Sequence, residues 1–261
     1  MSISHTSNGT TGRLKPLKWY KSLATAKGRL EAGAFFIEGD RAIKQVIDSH
    51  PHEIVEIITT EELPPAFRKH PVRFVTDSQL RSICSTKTPQ GVIAIVRIPL
   101  DTYSDHVPEN IGTRILLLED VQDPGNVGTL IRTAAAFNFS GVILTEKCAD
   151  HLSPKCVQST AGTVLSLWVR RTSHYLELAE TLKQRGYSLV AADLNGTEDP
   201  SILGSLNRLV LALGNEAAGL SKSILNASDY RLKIPIAREK AESLNVAACG
   251  AICMYLSSRS A

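Results

Sequence analysis

The chain carries no stretch suited to a bilayer. Its longest apolar run, Val246 to Met254, is far shorter than the roughly 20 residues a spanning helix needs. Met1 to Gly12 is polar and has no apolar segment of the signal-peptide kind. Cysteine is scarce and odd in number: Cys84, Cys148, Cys156, Cys249 and Cys253, with no C-x-x-C and no Cys/His cluster. That pattern argues against a disulfide framework and against a metal centre, and it fits a reducing cytoplasm. Cys249 and Cys253 stand one helical turn apart among alanines and read as core packing. No Walker A sequence occurs and no G-x-G-x-x-G follows a strand, so nucleotide hydrolysis and an ordinary dinucleotide fold lose support. Internal repeats and low-complexity tracts are absent as well. Net charge of either sign is small, at +3.

A hydrophobic content of 43% with 21% charged residues is that of a soluble globular protein, and 261 residues suffice for two ordinary domains. The charge is unevenly placed. Residues 1–105 hold 14 Lys and Arg against 11 Asp and Glu, whereas residues 106–261 hold 15 of each. The front part is therefore the better candidate for meeting phosphate. Arg13, Lys15, Lys18, Lys21, Lys27 and Arg29 are interleaved with Trp19 and Tyr20. The spacing predicts a short helix. Either it is a solvated amphipathic helix, or its cations contact phosphate with the aromatics available for stacking. Lys15, Lys18, Lys21 and Arg29 are the candidates for contact with nucleic-acid phosphate.

The pattern predicts two domains. After a frayed tail over 1–12, residues 13–98 alternate strands and helices as a small α/β unit. Its strands are predicted near Phe35–Ile37, Ile54–Ile58, Val72–Val75 and Gly91–Val96. Residues 99–112, with two prolines and few apolar side chains, read as a linker. From 113 to 261 a second alternation predicts strands at Ile115–Glu119, Gly141–Thr145, Ser188–Ala192, Leu209–Leu213 and Tyr230–Ile234. A shorter one is predicted near Leu167–Arg170. Helices are predicted at Asn126–Phe139, Pro154–Gly162, Ser173–Gly186 and Ser243–Ser258. Buried strands alternating with helices predict an α/β domain with a mostly parallel sheet covered on both faces.

Three strand-to-loop junctions stand out. Asp123-Pro124-Gly125-Asn126-Val127-Gly128 follows one apolar strand and leads into Arg132-Thr133-Ala134. Leu213-Gly214-Asn215-Glu216-Ala217-Ala218-Gly219-Leu220 ends another. Ile234-Pro235-Ile236, then Ser243-Leu244-Asn245-Val246, precedes the last helix. In open α/β sheets such edges bind ligands. Ser243 reads as the N-cap of the last helix and Asn245 as a first-turn residue. The Asp193–Gly196 turn reads as a loop that could flank such a site. On the helix from Asn126, Val127, Leu130, Ile131, Ala134 and Phe137 form one stripe, and Arg132 lies well away from it.

In order and spacing these motifs resemble the SpoU/TrmH branch of the SPOUT RNA methyltransferases. Asn126, Gly128, Arg132 and Ala134 match N-x-G-x(3)-R-x-A. Residues 213–220 match L-G-N-E-x(2)-G-L, and 234–246 match I-P-I…S-L-N-V. The resemblance implies a deep trefoil knot, S-adenosylmethionine as methyl donor, a ribose 2′-OH as acceptor, and a homodimer whose active sites are completed across the interface. By the same resemblance Asn126, Arg132, Glu216, Ser243 and Asn245 are the catalytic-site candidates, and Arg132 also meets the RNA. Leu213, Gly214, Ile234, Ile236 and Leu244 are the cofactor candidates, Gly214 because it lets the backbone approach the ligand closely. The first domain is similar to the L30-like substrate-binding domain of longer members. It favours ribosomal over transfer RNA, a layout shared with enzymes that mark ribosomal RNA against antibiotics. The rival readings are a tRNA 2′-O-methyltransferase and a non-catalytic RNA-binding or ribosome-assembly protein with the same fold. Two departures stand out. Ala217 replaces a frequent glycine, which is harmless unless φ must be positive, and Gln158 replaces a frequent arginine.

Overall fold

A computed structural model describes residues 15–84 and 89–259; the expected tail and Arg13 lie outside the described residues. The chain divides into two compact units, residues 1–98 and 99–261.

The first unit runs α1 (Leu17–Ser22), α2 (Ala26–Ala32), β1 (Ala34–Glu38), α3 (Asp40–Ser49), β2 (Ile54–Thr59), β3 (Val72–Phe74), α4 (Asp77–Ile83) and β4 (Val92–Arg97). The four strands lie in the order β1-β4-β2-β3. β4 pairs antiparallel with β1 and β2, and β3 pairs parallel with β2. The single helix expected over the basic segment is two short ones. Thr25 caps α2 by accepting from the Gly28 N–H, and Gly33 ends it in the left-handed region at φ 60°. Tyr20, Leu23, Phe36, Ile58, Leu80, Ile93 and Ile95 form one core.

The second unit holds β5 (Arg114–Leu118), α5 (Pro124–Ala136), β6 (Gly141–Leu144), α6 (Pro154–Thr160), β7 (Trp168–Arg171), α7 (Tyr175–Gln184), β8 (Ser188–Ala192), β9 (Leu209–Leu213), α8 (Lys222–Ala227), β10 (Tyr230–Leu232) and α9 (Val246–Ser258). Its six strands are all parallel, in the order β10-β8-β9-β5-β6-β7. Side chains alternate between two cores. Leu116, Leu118, Leu211 and Leu213 pack with Val127, Leu130 and Met254, from the faces of α5 and α9. Ile115, Leu117, Val210 and Ala212 pack with Leu178, Leu182 and Ile224 of α7 and α8. Strands buried on both faces are why the sequence reads as unbroken apolar runs here.

From β5 the chain steps outward to β6 and β7, then crosses to β8 on the other side. β5 and β9, paired from Arg114 with Leu209 to Leu118 with Leu213, are therefore where strand order reverses. Their carboxyl ends are the expected place for a ligand. Residues 99–112 are fastened to the second unit. Arg170, buried, donates to the His106 carbonyl at 2.7 Å and to Asp101 at 2.6 Å, and Trp168 donates to the Ile111 carbonyl at 2.9 Å. Gly128 of α5 has a packing reason: a Cβ there would overlap the Cys156 carbonyl and Ser159 on α6. No helix among the described residues is long and apolar enough to cross a membrane.

Candidate functional site

A cleft of about 590 Å³ opens at the carboxyl edge of β8, β9 and β10. Its lining joins Asp193–Asn195 after β8, Leu213–Leu220 at the end of β9, Ile234 and Ile236 after β10, and Glu242–Leu244 before α9. All five cofactor candidates, Leu213, Gly214, Ile234, Ile236 and Leu244, line it, as do Glu216 and Ser243. The Asp193 turn also contributes, and so does Cys249, whose spacing suggests core packing; Cys253 is fully buried. Cys249 is half-buried and lines the cleft together with Val246 in the first turn of the last helix.

The helix start behind the cleft is capped by Asn245, not Ser243. The Asn245 Oδ1 accepts from the N–H groups of Ala247 at 2.8 Å and Ala248 at 3.3 Å, so the helix begins at Val246. An amide that satisfies two orphan N–H groups at once settles the start two residues later than a Ser243 cap would. Ser243 is left exposed on the cleft without a hydrogen bond among the described residues.

Asn126, Glu216 and Asn245 come together. Asn126 Nδ2 donates to Glu216 Oε1 at 2.9 Å, and its Oδ1 accepts from Asn245 Nδ2 at 3.1 Å. One amide thus links the loops after β5, β9 and β10. Burial pushes the Glu216 pKa up, but the Asn126 amide and the backbone N–H groups of Glu216, Gln122 and Asp123 outweigh it and hold it below its ordinary value. A carboxylate so held is a weaker base and a better acceptor for these loops. Asp123 caps α5 by accepting from Asn126 N–H at 2.9 Å and pairs with Lys155 at 3.1 Å; both hold its pKa down.

Gly214 has a packing reason within its own loop: a Cβ there would overlap the backbone of Gly219 and Leu220. Asn215 fixes the same turn, a role that the sequence pattern alone does not assign. Its Oδ1 accepts from Ala217 N–H at 3.0 Å and Ala218 N–H at 2.9 Å, and its Nδ2 donates to the Asp120 carbonyl at 2.8 Å. Gly219 takes φ 70° while Ala217 stays out of the left-handed region, so the alanine there is unstrained.

Arg132 is exposed on α5, off the buried stripe, and makes no hydrogen bond or ion pair among the described residues; it does not line the cleft. No group of His, Cys, Asp and Glu able to hold a metal ion occurs among the described residues.

In the first unit Lys15, Lys18 and Lys21 are exposed. Arg29 is not available as an RNA contact: it is 3% exposed, and its Nη1 donates to the Leu23 carbonyl at 2.8 Å, closing the turn between α1 and α2. Nor is Tyr20 free to stack. It is fully buried, its hydroxyl donates to Glu56 at 2.5 Å, and burial first and the Glu56 bond second push its pKa to about 12. Trp19 remains half-exposed, with the Lys15 ammonium 5.7 Å from its ring.

The model of the SpoU rRNA methylase family matches residues 113–255, and that of the MRM3-like substrate-binding domain matches residues 15–94. The chain is 30% identical to the 23S rRNA (guanosine(2553)-2′-O)-methyltransferase RlmP of Bacillus subtilis, over 92% of this chain and 94% of that one. It is 27% identical to the 23S rRNA (uridine(2479)-2′-O)-methyltransferase of Streptomyces viridochromogenes, over 91% and 87%. The solved structure of the SpoU methyltransferase AviRb of Streptomyces viridochromogenes, in complex with AdoMet, superposes with a TM-score of 0.80 at 26% identity, over 93% of this chain and 96% of that one. With both units matched in order, this chain belongs to the SpoU rRNA methylase family.

Proposed function

We propose that this protein is an S-adenosylmethionine-dependent RNA methyltransferase that acts on a ribose 2′-OH of 23S ribosomal RNA. The observation that carries the reading is the cleft at the carboxyl edge of β8, β9 and β10, whose wall residue Glu216 is tied through Asn126 to Asn245 and so to the loop after β5. The full-length likeness to two 23S rRNA 2′-O-methyltransferases supports the ribosomal substrate over transfer RNA. Those two enzymes are named for different nucleotides, so the likeness reaches the RNA class and not the position. The trefoil knot belongs with the same reading.

The cleft residues fit the cofactor. Its volume, about 590 Å³, lies in the roughly 300–1,000 Å³ range of small-molecule sites. Leu213, Ile234, Ile236 and Leu244 offer apolar contact, and the backbone of 214–220 offers donors and acceptors for an adenine edge. When bound, S-adenosylmethionine supplies an electrophilic methyl for in-line attack by the ribose oxygen. The chain's part is positioning, which supplies much of the rate in such transfers. Asn126 and Asn245 hold the loops in place, and Ser243 presents a free hydroxyl to the cleft. Arg132 binds the RNA phosphate beside the reacting ribose. Its guanidinium stays protonated, so it orients and polarises, and the neighbouring phosphate shares in taking the proton.

The active site is completed by a second copy of the chain. Ala248, Ile252 and Tyr255 form an exposed apolar stripe along α9, and Tyr255 meets Phe137 of the α5 C-terminus edge-on at 6.1 Å. A homodimer through this face buries the stripe beside the helix that bears Arg132.

The test is methyl transfer from labelled S-adenosylmethionine to ribosomal RNA and to transfer RNA purified from cells lacking the gene. Label confined to one 2′-O position of 23S rRNA is expected. Label in tRNA alone would favour the tRNA reading, and none in either RNA would favour a binding protein.

A further inference from the structure

The loop Gly214–Leu220 forms one wall of the cleft, and a single buried residue holds both of its ends. Glu119 follows β5 directly. Its backbone N–H donates to the Leu213 carbonyl at 2.9 Å, just before the loop. Its side chain accepts from the Ser221 N–H at 2.7 Å, just after the loop, and from the Tyr175 hydroxyl at 2.7 Å. Glu119 is 4% exposed, so each carboxylate oxygen has its partner inside the fold and water does not compete. Ser221 is also the N-cap of α8, accepting from Ile224 N–H. The residue that closes the loop therefore also starts the helix behind it.

We propose that Glu119 is a positioning residue for the methyl donor: by clamping residues 213 and 221 it sets the shape of the 214–220 wall that receives S-adenosylmethionine. The proposal rests on the cofactor assignment of this cleft. Glu119 does not line the cleft and so acts through the loop. Without the Glu119 side chain the loop would stay pinned at Leu213 by the backbone and at its middle by Asn215 to Asp120 and Glu216 to Asn126, but its far end at Ser221 would lose its anchor. Cofactor affinity then carries the cost of ordering that end on binding. Arg132, the RNA-side group, is exposed on α5 and makes no bond to this loop among the described residues, so the effect falls mainly on one substrate of two. The Tyr175 hydroxyl, with its pKa pushed to about 12 by burial and then by the Glu119 bond, stays a donor throughout the working range.

Three variants of the full chain test this, with S-adenosylmethionine affinity read by calorimetry, KM for each substrate by methyl transfer, and amide exchange by mass spectrometry. Glu119→Leu keeps bulk but leaves two half-buried donors unpaired, and should weaken S-adenosylmethionine binding by about tenfold. Amides of 213–221 should exchange faster, while KM for RNA and kcat at saturating cofactor stay near wild type. Glu119→Gln should restore most affinity, because its oxygen still accepts from Ser221 and its amide donates to the Tyr175 oxygen. Tyr175→Phe removes one donor only and should weaken binding by about threefold. If wild type binds no S-adenosylmethionine, the cofactor assignment itself is refuted and the clamp goes with it. If wild type binds and Glu119→Leu binds as tightly, the clamp alone is refuted. Should Glu119→Leu fail to fold, Tyr175→Phe decides: unchanged affinity overturns the proposal and weakened affinity supports it.

Discussion

The polar side chains of the cleft loops and those of the basic N-terminal helix are arranged in opposite ways. Around the cleft, Asn126, Asn215, Glu216 and Asn245 spend most of their hydrogen-bonding capacity on one another and on backbone groups. On α1, Lys18 and Lys21 stand in solvent and make no ion pair among the described residues. A cleft built this way is organised before its ligand arrives, and it favours a small molecule whose placement decides a reaction. A row of open cations costs nothing to assemble and suits a polyanion bound through many equivalent contacts. Mutations should therefore act all-or-none at the cleft and gradually on the helix.

The largest effect is expected from Gly214→Val. The new side chain overlaps the backbone of Gly219 and Leu220, so S-adenosylmethionine binding should be lost and the melting temperature lowered. Gly219→Ala should cost only about 1 kcal/mol of stability, since its φ of 70° disfavours alanine but nothing lies within reach of the added methyl. If the two variants behave alike in calorimetry, the loop is not the tightly packed element described.

Asn126→Ala comes next. It removes the donor to Glu216 and the acceptor for Asn245 together. Methyl transfer should fall by at least about tenfold, with fold stability changed by only about 1 kcal/mol. A variant of full activity would break the claim that this amide joins the loops.

On the first unit the comparison sharpens into a pair. Arg29→Ala should lower stability by about 1–3 kcal/mol, because it strips a donor from the buried Leu23 carbonyl, and leave RNA affinity of the folded protein unchanged. Replacing Lys15, Lys18 and Lys21 by alanine should do the reverse. Stability should hold, and the slope of log affinity against log salt should fall by roughly 0.7–0.9 for each phosphate no longer neutralised. An unchanged slope would make α1 an ordinary surface.

The smallest effect is with pH. Glu216 and Asp123 both have pKa values held down by hydrogen bonds in the folded protein, after burial has pushed Glu216 the other way. Their contribution to loop order is thus full above the ordinary carboxylate range and is lost as pH falls through their lower folded values. Cofactor affinity should stay flat from neutral pH down into that range and drop only below it. A decline that begins near neutrality would point to another titrating group.

The second unit is largely legible in the sequence, because strands buried on both faces are continuous apolar runs ending in loops rich in Gly, Pro and Asn. β10 stops at Leu232 rather than Ile234, and α8 passes unread, since six residues between two serines show no periodicity. The cofactor candidates land in the cleft because each lies at or beyond a strand end on the same edge. Other features depend on contacts that no local pattern encodes. Glu119 bonds to residues 56 and 102 positions away. Ser243 and Asn245 are both good caps, and only the reach of one amide to two N–H groups decides between them. A basic, aromatic stretch shows that cations and rings are present but not which side each faces, and so its pattern places Arg29 and Tyr20 at a surface they do not reach.

Arg132 gives the most direct test of the account, since it is exposed, apart from the cleft lining and bound to nothing among the described residues. Methyl transfer to 23S rRNA by Arg132→Ala should be measured alongside calorimetry with S-adenosylmethionine and thermal melting of the same preparation. The expected result is turnover reduced on the order of a hundredfold, with cofactor affinity and melting temperature unchanged, and with Arg132→Lys recovering little because it lacks the planar fork. Undiminished turnover by Arg132→Ala would contradict the account.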